Sequence, residues 1–163
     1  MAPSEFFVKL QKGTADYMCT VKGVDYFLGI VGGFAPAKPY EIHVLTLSTD
    51  RPNLLAVESQ HRADGSSSLQ STNQEPKTLS LPENKPVVDE LHSILKTLPT
   101  EKPPGSQDIY GMDTSIAWGS QDLEWNNGGP AGCSMGTSEV QATDEEKVKF
   151  KRAVEIIKEL ATK

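Results

Sequence analysis

Residues 6–30, FFVKLQKGTADYMCTVKGVDYFLGI, decide the fold. Phe6, Val8 and Leu10 alternate with Phe7, Lys9 and Gln11, the period of two that sends successive side chains to opposite faces of a sheet. Past a Lys12-Gly13 turn, Ala15, Tyr17, Cys19 and Val21 share one face, and Asp16, Met18, Thr20 and Lys22 the other. Lys22-Gly23 is a second two-residue turn, with glycine placed for the positive φ that a tight hairpin needs. Counting back from it sets Val21 opposite Val24, Cys19 opposite Tyr26 and Tyr17 opposite Leu28, all on one face. A slip of one residue exposes the whole set, so the pattern and the turn specify one register.

Outward from this hairpin the alternation continues. Glycine and proline break it over 32–39, and 40–48 resumes it. Asp50-Arg51-Pro52-Asn53 is turn chemistry, and 54–60 reads as a further strand. Residues 63–76, ADGSSSLQSTNQEP, are small and polar and predict a loop, with a short strand over 77–81. Pro86, capped by Asn84, starts a helix whose stripe is Val87, Val88, Leu91, Ile94, Leu95 and Leu98, ended by Pro99. Residues 97–107, TLPTEKPPGSQ, have the composition of a linker, and brief strands are expected over 115–118 and 138–142. Thr143 and Glu146 form a capping-box pair for a last helix with Phe150, Ala153, Val154, Ile157 and Leu160 inward. The expected fold is α+β: an antiparallel meander sheet of about five to seven strands with two helices packed on it, the last C-terminal. Gly29, Gly32 and Gly33 would let the sheet curl into an open barrel. A single domain over 1–163 is expected, divided into the meander (1–62), polar loop and short strand (63–82), helix (84–98), Pro/Gly-rich segment (99–142) and last helix (143–162).

Composition narrows the partners. Sixteen basic residues against 22 acidic give a net charge of −6 with no basic run, which argues against nucleic acid. The longest uncharged stretch, 26–37, is too short and too rich in glycine to span a bilayer, so no membrane partner is expected. Cys19 and Cys133 show no metal-ligand spacing, which fits a reducing, cytoplasmic setting.

Residues 105–138, GSQDIYGMDTSIAWGSQDLEWNNGGPAGCSMGTS, hold the candidate site. Both tryptophans, Trp118 and Trp125, stand here among Asp113, Asp122, Glu124, Asn126 and Asn127 on a backbone kept bare by glycine. Aromatic faces beside carboxylates and amides suit a small polar, sugar-like ligand. Asp122, Glu124 and Asn126 alternate as the first ligands of an EF-hand do, but Asn127 and Cys133 stand where such a loop needs glycine and a closing glutamate. Asp122 with Glu124 also suggests an acid–base pair, and Cys133 with His43 a thiol and its base. His43 falls mid-strand on the face of Glu41, whereas His61 at a strand end and His92 on the outer side of a helix read as solvated. Three histidines without paired spacing give no reason to expect zinc, and no cofactor is implied.

The leading expectation is a non-enzymatic binding protein for a small polar molecule or a protein partner, with its site in 105–138. The first alternative is a small cofactor-independent enzyme (hydrolase, lyase or isomerase) using Asp122/Glu124 or Cys133/His43. The second is an inhibitor or regulator presenting the 128–136 loop.

Overall fold

The computed structural model describes residues 3–13, 39–62, 68–72, 76–128 and 136–163. In chain order these form β1 (Phe6–Lys12), β2 (Glu41–Leu47), β3 (Leu54–His61), β4 (Gln70–Ser71), β5 (Lys77–Ser80), α1 (Leu81–Thr97), β6 (Thr114–Ser120), β7 (Glu124–Asn126) and α2 (Asp144–Thr162). The expected strands over 15–21 and 24–30 lie outside the described residues, as do Cys19, Cys133 and residues 129–135 of the loop.

The sheet is seven-stranded, antiparallel and open, in the order β4-β3-β2-β1-β6-β7, with β5 also on β3. The α+β expectation therefore holds, with an open rather than a closed sheet. β1 is central: Phe6 lies opposite Leu47 on one side and Ser120 on the other, Lys12 opposite Glu41 and Thr114. A strand has two edges, and those of β1 are taken by β2 and β6 along its whole length. Gly13 does take a positive φ of 82°, and its N–H donates to the Asp113 carbonyl at 3.1 Å. The Tyr40 ring covers its Cα where a Cβ would overlap it.

One face of the sheet carries Phe6, Val8, Leu10, Leu45, Leu47, Leu55, Val57, Ile116 and Trp118, all buried. The helices close over it with two stripes: Val88, Leu91 and Leu95 of α1, and Phe150, Ala153, Val154, Ile157 and Leu160 of α2. Burying each large aliphatic chain contributes roughly 1.5–3 kcal/mol, which makes this face the main source of stability. α2 begins as expected: Thr143 Oγ1 accepts the Glu146 N–H at 3.3 Å, while Glu146 Oε2 accepts the Thr143 N–H at 2.7 Å.

Three expectations are corrected. α1 starts at Leu81 rather than near Asn84, because β5 runs straight into it: the Leu81 N–H still reaches the Asn53 carbonyl, at 2.9 Å. Pro82 then occupies the first turn, where its missing N–H costs nothing. Asn84 is not a cap; its Nδ2 donates to the Ser80 carbonyl at 2.8 Å. Residues 138–142 form no strand. The Ser138 hydroxyl accepts the N–H groups of Lys102 and Val140, both at 3.0 Å, a side-chain bond that competes with a sheet ladder. Finally, the stretch read as a linker holds a buried anchor, since Glu101 is only 3% exposed.

Candidate functional site

Within residues 105–128 the polar side chains divide into those that build the segment and those that face outward. Glu101 Oε1 accepts the N–H of Gly105 at 3.0 Å and of Gly128 at 2.6 Å, tying the two ends together. Asp108 accepts the N–H groups of Tyr110, Gly111 and Asp113, which curls the backbone so that Asp113 sits at φ 48°. Asp tolerates this left-handed region better than most residues. Asn127 is buried and extends the β6–β7 ladder with its side chain, its Oδ1 accepting from Ile116 N–H at 2.8 Å and its Nδ2 donating to the Thr114 carbonyl at 3.2 Å.

Both tryptophans point into the core. Trp118, 1% exposed, stacks on Phe6 with centroids 4.6 Å apart and leans on His92 at 5.3 Å. Trp125 donates its Nε1–H to the Leu98 carbonyl at 2.9 Å beside Phe150. Tyr110 stacks on the same phenylalanine at 4.0 Å, and burial pushes its hydroxyl pKa well above the usual phenol range. These rings anchor the segment and present no open face.

Asp122 and Glu124 separate to opposite sides of the sheet. Asp122 turns to α1, where Oδ2 accepts from Lys96 Nζ at 2.6 Å and Oδ1 from the Ser120 hydroxyl at 3.0 Å. The Lys96 bond is the main reason its carboxyl is held down to about 2. His92 is not solvated: it is 2% exposed, with Nε2 3.1 Å from Asp122 Oδ2 but out of line for a hydrogen bond. Glu124 lies opposite Gly119 on the face away from the helices, and Asn126 opposite Ala117 on that same face.

The strand registers assemble an outward row that no local pattern announces. Across the open face run Thr46, Phe7, Gly119 and Glu124, each opposite the next on adjacent strands. Phe7 is 49% exposed, and its ring lies over Gly119, where a Cβ would overlap it. Beside this row is a cavity of about 440 Å³ lined by Glu5, Phe7, Thr46, Thr49, Ser120 and Gln121, with Gly119 also on its wall. The set supplies an aromatic ring, the hydroxyls of Thr46 and Thr49, an amide and a carboxylate, while the Ser120 hydroxyl is taken by Trp118 Nε1–H, Asp122 and Leu123.

At the other end of β2 a second cluster forms on the helix face. His43, 3% exposed, has Nδ1 2.8 Å from Ser59 Oγ and Nε2 2.8 Å from Glu41 Oε1. Lys158 Nζ of α2 donates to Glu41 Oε2 at 2.8 Å, and the His61 ring meets His43 edge-on at 5.6 Å. Burial pushes the His43 pKa down against the opposing pull of Glu41, so the ring is neutral at pH 7. Burial raises Glu41, but the bonds from Lys158 and His43 outweigh it and hold the carboxyl below its usual range. The hydroxyl–imidazole–carboxylate order fixes the imidazole, yet Ser59 is 7% exposed and its hydroxyl faces the interior. Cys133, the thiol considered as a partner for His43, lies outside the described residues.

The chain matches no protein-family model, no curated protein and no solved structure. Among the described residues, no helix is long and apolar enough to cross a membrane.

Proposed function

We propose that the protein is a non-enzymatic binding protein that takes a small polar, sugar-like molecule on the open face of its sheet. The 105–138 segment contributes Gly119, Gln121, Glu124 and Asn126 to this face. One observation carries the reading: a half-exposed Phe7 ring over a bare Gly119, flanked by the hydroxyls of Thr46 and Thr49, the Gln121 amide and the Glu5 carboxylate. An aromatic platform with a few polar groups beside it, on rigid strands, is how small polar ligands are oriented. The buried tryptophans act by holding β6 and β7 in register, which keeps this face in shape.

Calorimetric titration of the full chain with a panel of mono- and disaccharides tests it. At least one sugar should bind saturably, and Phe7→Ala should weaken it by about tenfold, the scale of one lost aromatic contact. A panel without a binder, or a binder indifferent to Phe7→Ala, overturns the reading.

A further inference from the structure

We propose that Glu41, His43 and His61 form a site for one divalent transition-metal ion of the Zn²⁺ type. The site lies at the opposite end of β2 from Thr46 and stands apart from the sugar-binding reading. One ligand atom from each of the three residues lies within 4.8 Å of the others. A tetrahedral zinc ion with N and O ligands at about 2.0–2.1 Å sets those ligands roughly 3.3–3.4 Å apart. The Glu41–His43 separation of 2.8 Å is slightly shorter than that and the 4.8 Å limit longer, so modest side-chain rotations converge on the bound geometry.

The backbone has already brought these side chains together. Glu41 and His61 are direct partners in the β2–β3 ladder, and His43 follows two residues on, on the same face, opposite Ser59. Direct partners in an antiparallel pair keep their Cβ atoms about 4.5–5.5 Å apart, so the positions persist with or without an ion. Neighbouring groups also aim the ligands. Because the Glu41 carboxylate can only accept, the neutral His43 ring holds its proton on Nε2, and Ser59 Oγ–H donates to Nδ1. An ion that takes Nε2 moves that proton to Nδ1, where Ser59 Oγ stands 2.8 Å away to accept it. Lys158 takes Glu41 Oε2 and leaves Oε1 on the side of His43. The three ligands run from buried (His43) through part-buried (Glu41) to exposed (His61), which gives an ion a route in from solvent. Two imidazoles and one carboxylate suit Zn²⁺ and its first-row neighbours better than Ca²⁺ or Mg²⁺, which favour all-oxygen sets. Three protein ligands leave the fourth position of a tetrahedral ion for water or an exogenous ligand.

The test is a Zn²⁺ titration of the full chain against a chromophoric chelator, repeated with Co²⁺ to read coordination from its visible spectrum. One equivalent should bind, with a tetrahedral Co²⁺ spectrum lacking thiolate charge transfer. His61→Ala, at an exposed position, and Glu41→Gln should each weaken Zn²⁺ by on the order of a hundredfold while keeping the native circular dichroism. A double Cys19→Ser/Cys133→Ser variant should bind as the wild type does. Absence of stoichiometric uptake, uptake that survives His61→Ala, or uptake that vanishes with the thiols each overturns the proposal.

Discussion

The Phe7 ring occupies the space where a Gly119 side chain would stand, directly across the β1–β6 ladder. Glycine in a strand interior ordinarily weakens it by roughly 0.5–1 kcal/mol relative to alanine, so its presence in a strand beside the central one asks for a reason. Here the reason is a ring laid over bare backbone. Gly119→Ala should change stability by less than about 1 kcal/mol, because the displaced group is the far end of a rotatable ring. The same variant should lower sugar affinity about as much as Phe7→Ala does. Urea titration and calorimetry measure the two effects, and a Gly119→Ala protein with unchanged affinity would disconnect the ring's position from binding.

Glu101 carries the opposite kind of weight, as an anchor inside the segment rather than a contact on its surface. Its buried carboxylate satisfies the N–H groups of Gly105 and Gly128. Glu101→Ala leaves both donors without that acceptor and should cost about 2–4 kcal/mol. Glu101→Gln keeps an acceptor oxygen in place and should cost about 1 kcal/mol. If urea denaturation shows both variants within error of wild type, the carboxylate does not tie the segment's ends.

How much of this was legible follows from the range of the signals. The α2 capping box and stripe are local, and period two marked β1, β2 and β3 in the same way. His92 was legible too: the spacing Val88, Leu91, His92, Leu95 puts it on the buried stripe of α1, and counting by 3.6 residues per turn shows it. The start of α1 was obscured because Asn84 and Pro86 resemble a helix entrance, while the true entrance is the end of a strand. The direction of Trp118 and Trp125 was not readable, since aromatic and polar residues alternate the same way around a cleft and over a core. The row from Thr46 to Glu124 and the grouping of Glu41, His43, Ser59 and His61 depend on pairing between strands. Those pairings join residues far apart in sequence, and a histidine count cannot supply them.

Asp122 gives the acid limb of stability a named contributor. Its folded pKa of about 2 lies below the ordinary 3.8 of an aspartate, chiefly through the Lys96 bond. The unfolded chain therefore takes up a proton first, so the stabilisation is present above 3.8 and lost as pH falls towards 2. Asp122→Asn should lose less stability than wild type over that window, read as the urea midpoint. Because the pair is solvent-exposed, raising salt should narrow the difference between the two proteins. Parallel acid limbs for wild type and Asp122→Asn would show that Lys96 holds the carboxylate only weakly in solution.

Lys158 separates charge from geometry at the Glu41–His43–His61 cluster. Its ammonium holds Glu41 Oε2 at 2.8 Å and therefore stands close to any cation bound through Oε1. Two effects of Lys158→Met oppose each other: the carboxylate loses an orienting partner, and the ion loses a like-charged neighbour. A single contact from a flexible chain that is 33% exposed orients weakly, whereas a lysine beside a divalent ion at a partly screened edge repels it by roughly 1–2 kcal/mol. The repulsion should dominate, and Lys158→Met should bind Zn²⁺ about tenfold more tightly. Without metal the same variant should unfold at lower urea, because a part-buried Glu41 then lacks its cation. A Zn²⁺ affinity that falls with the apo stability would mean that Lys158 positions Glu41 for the ion rather than competing with it.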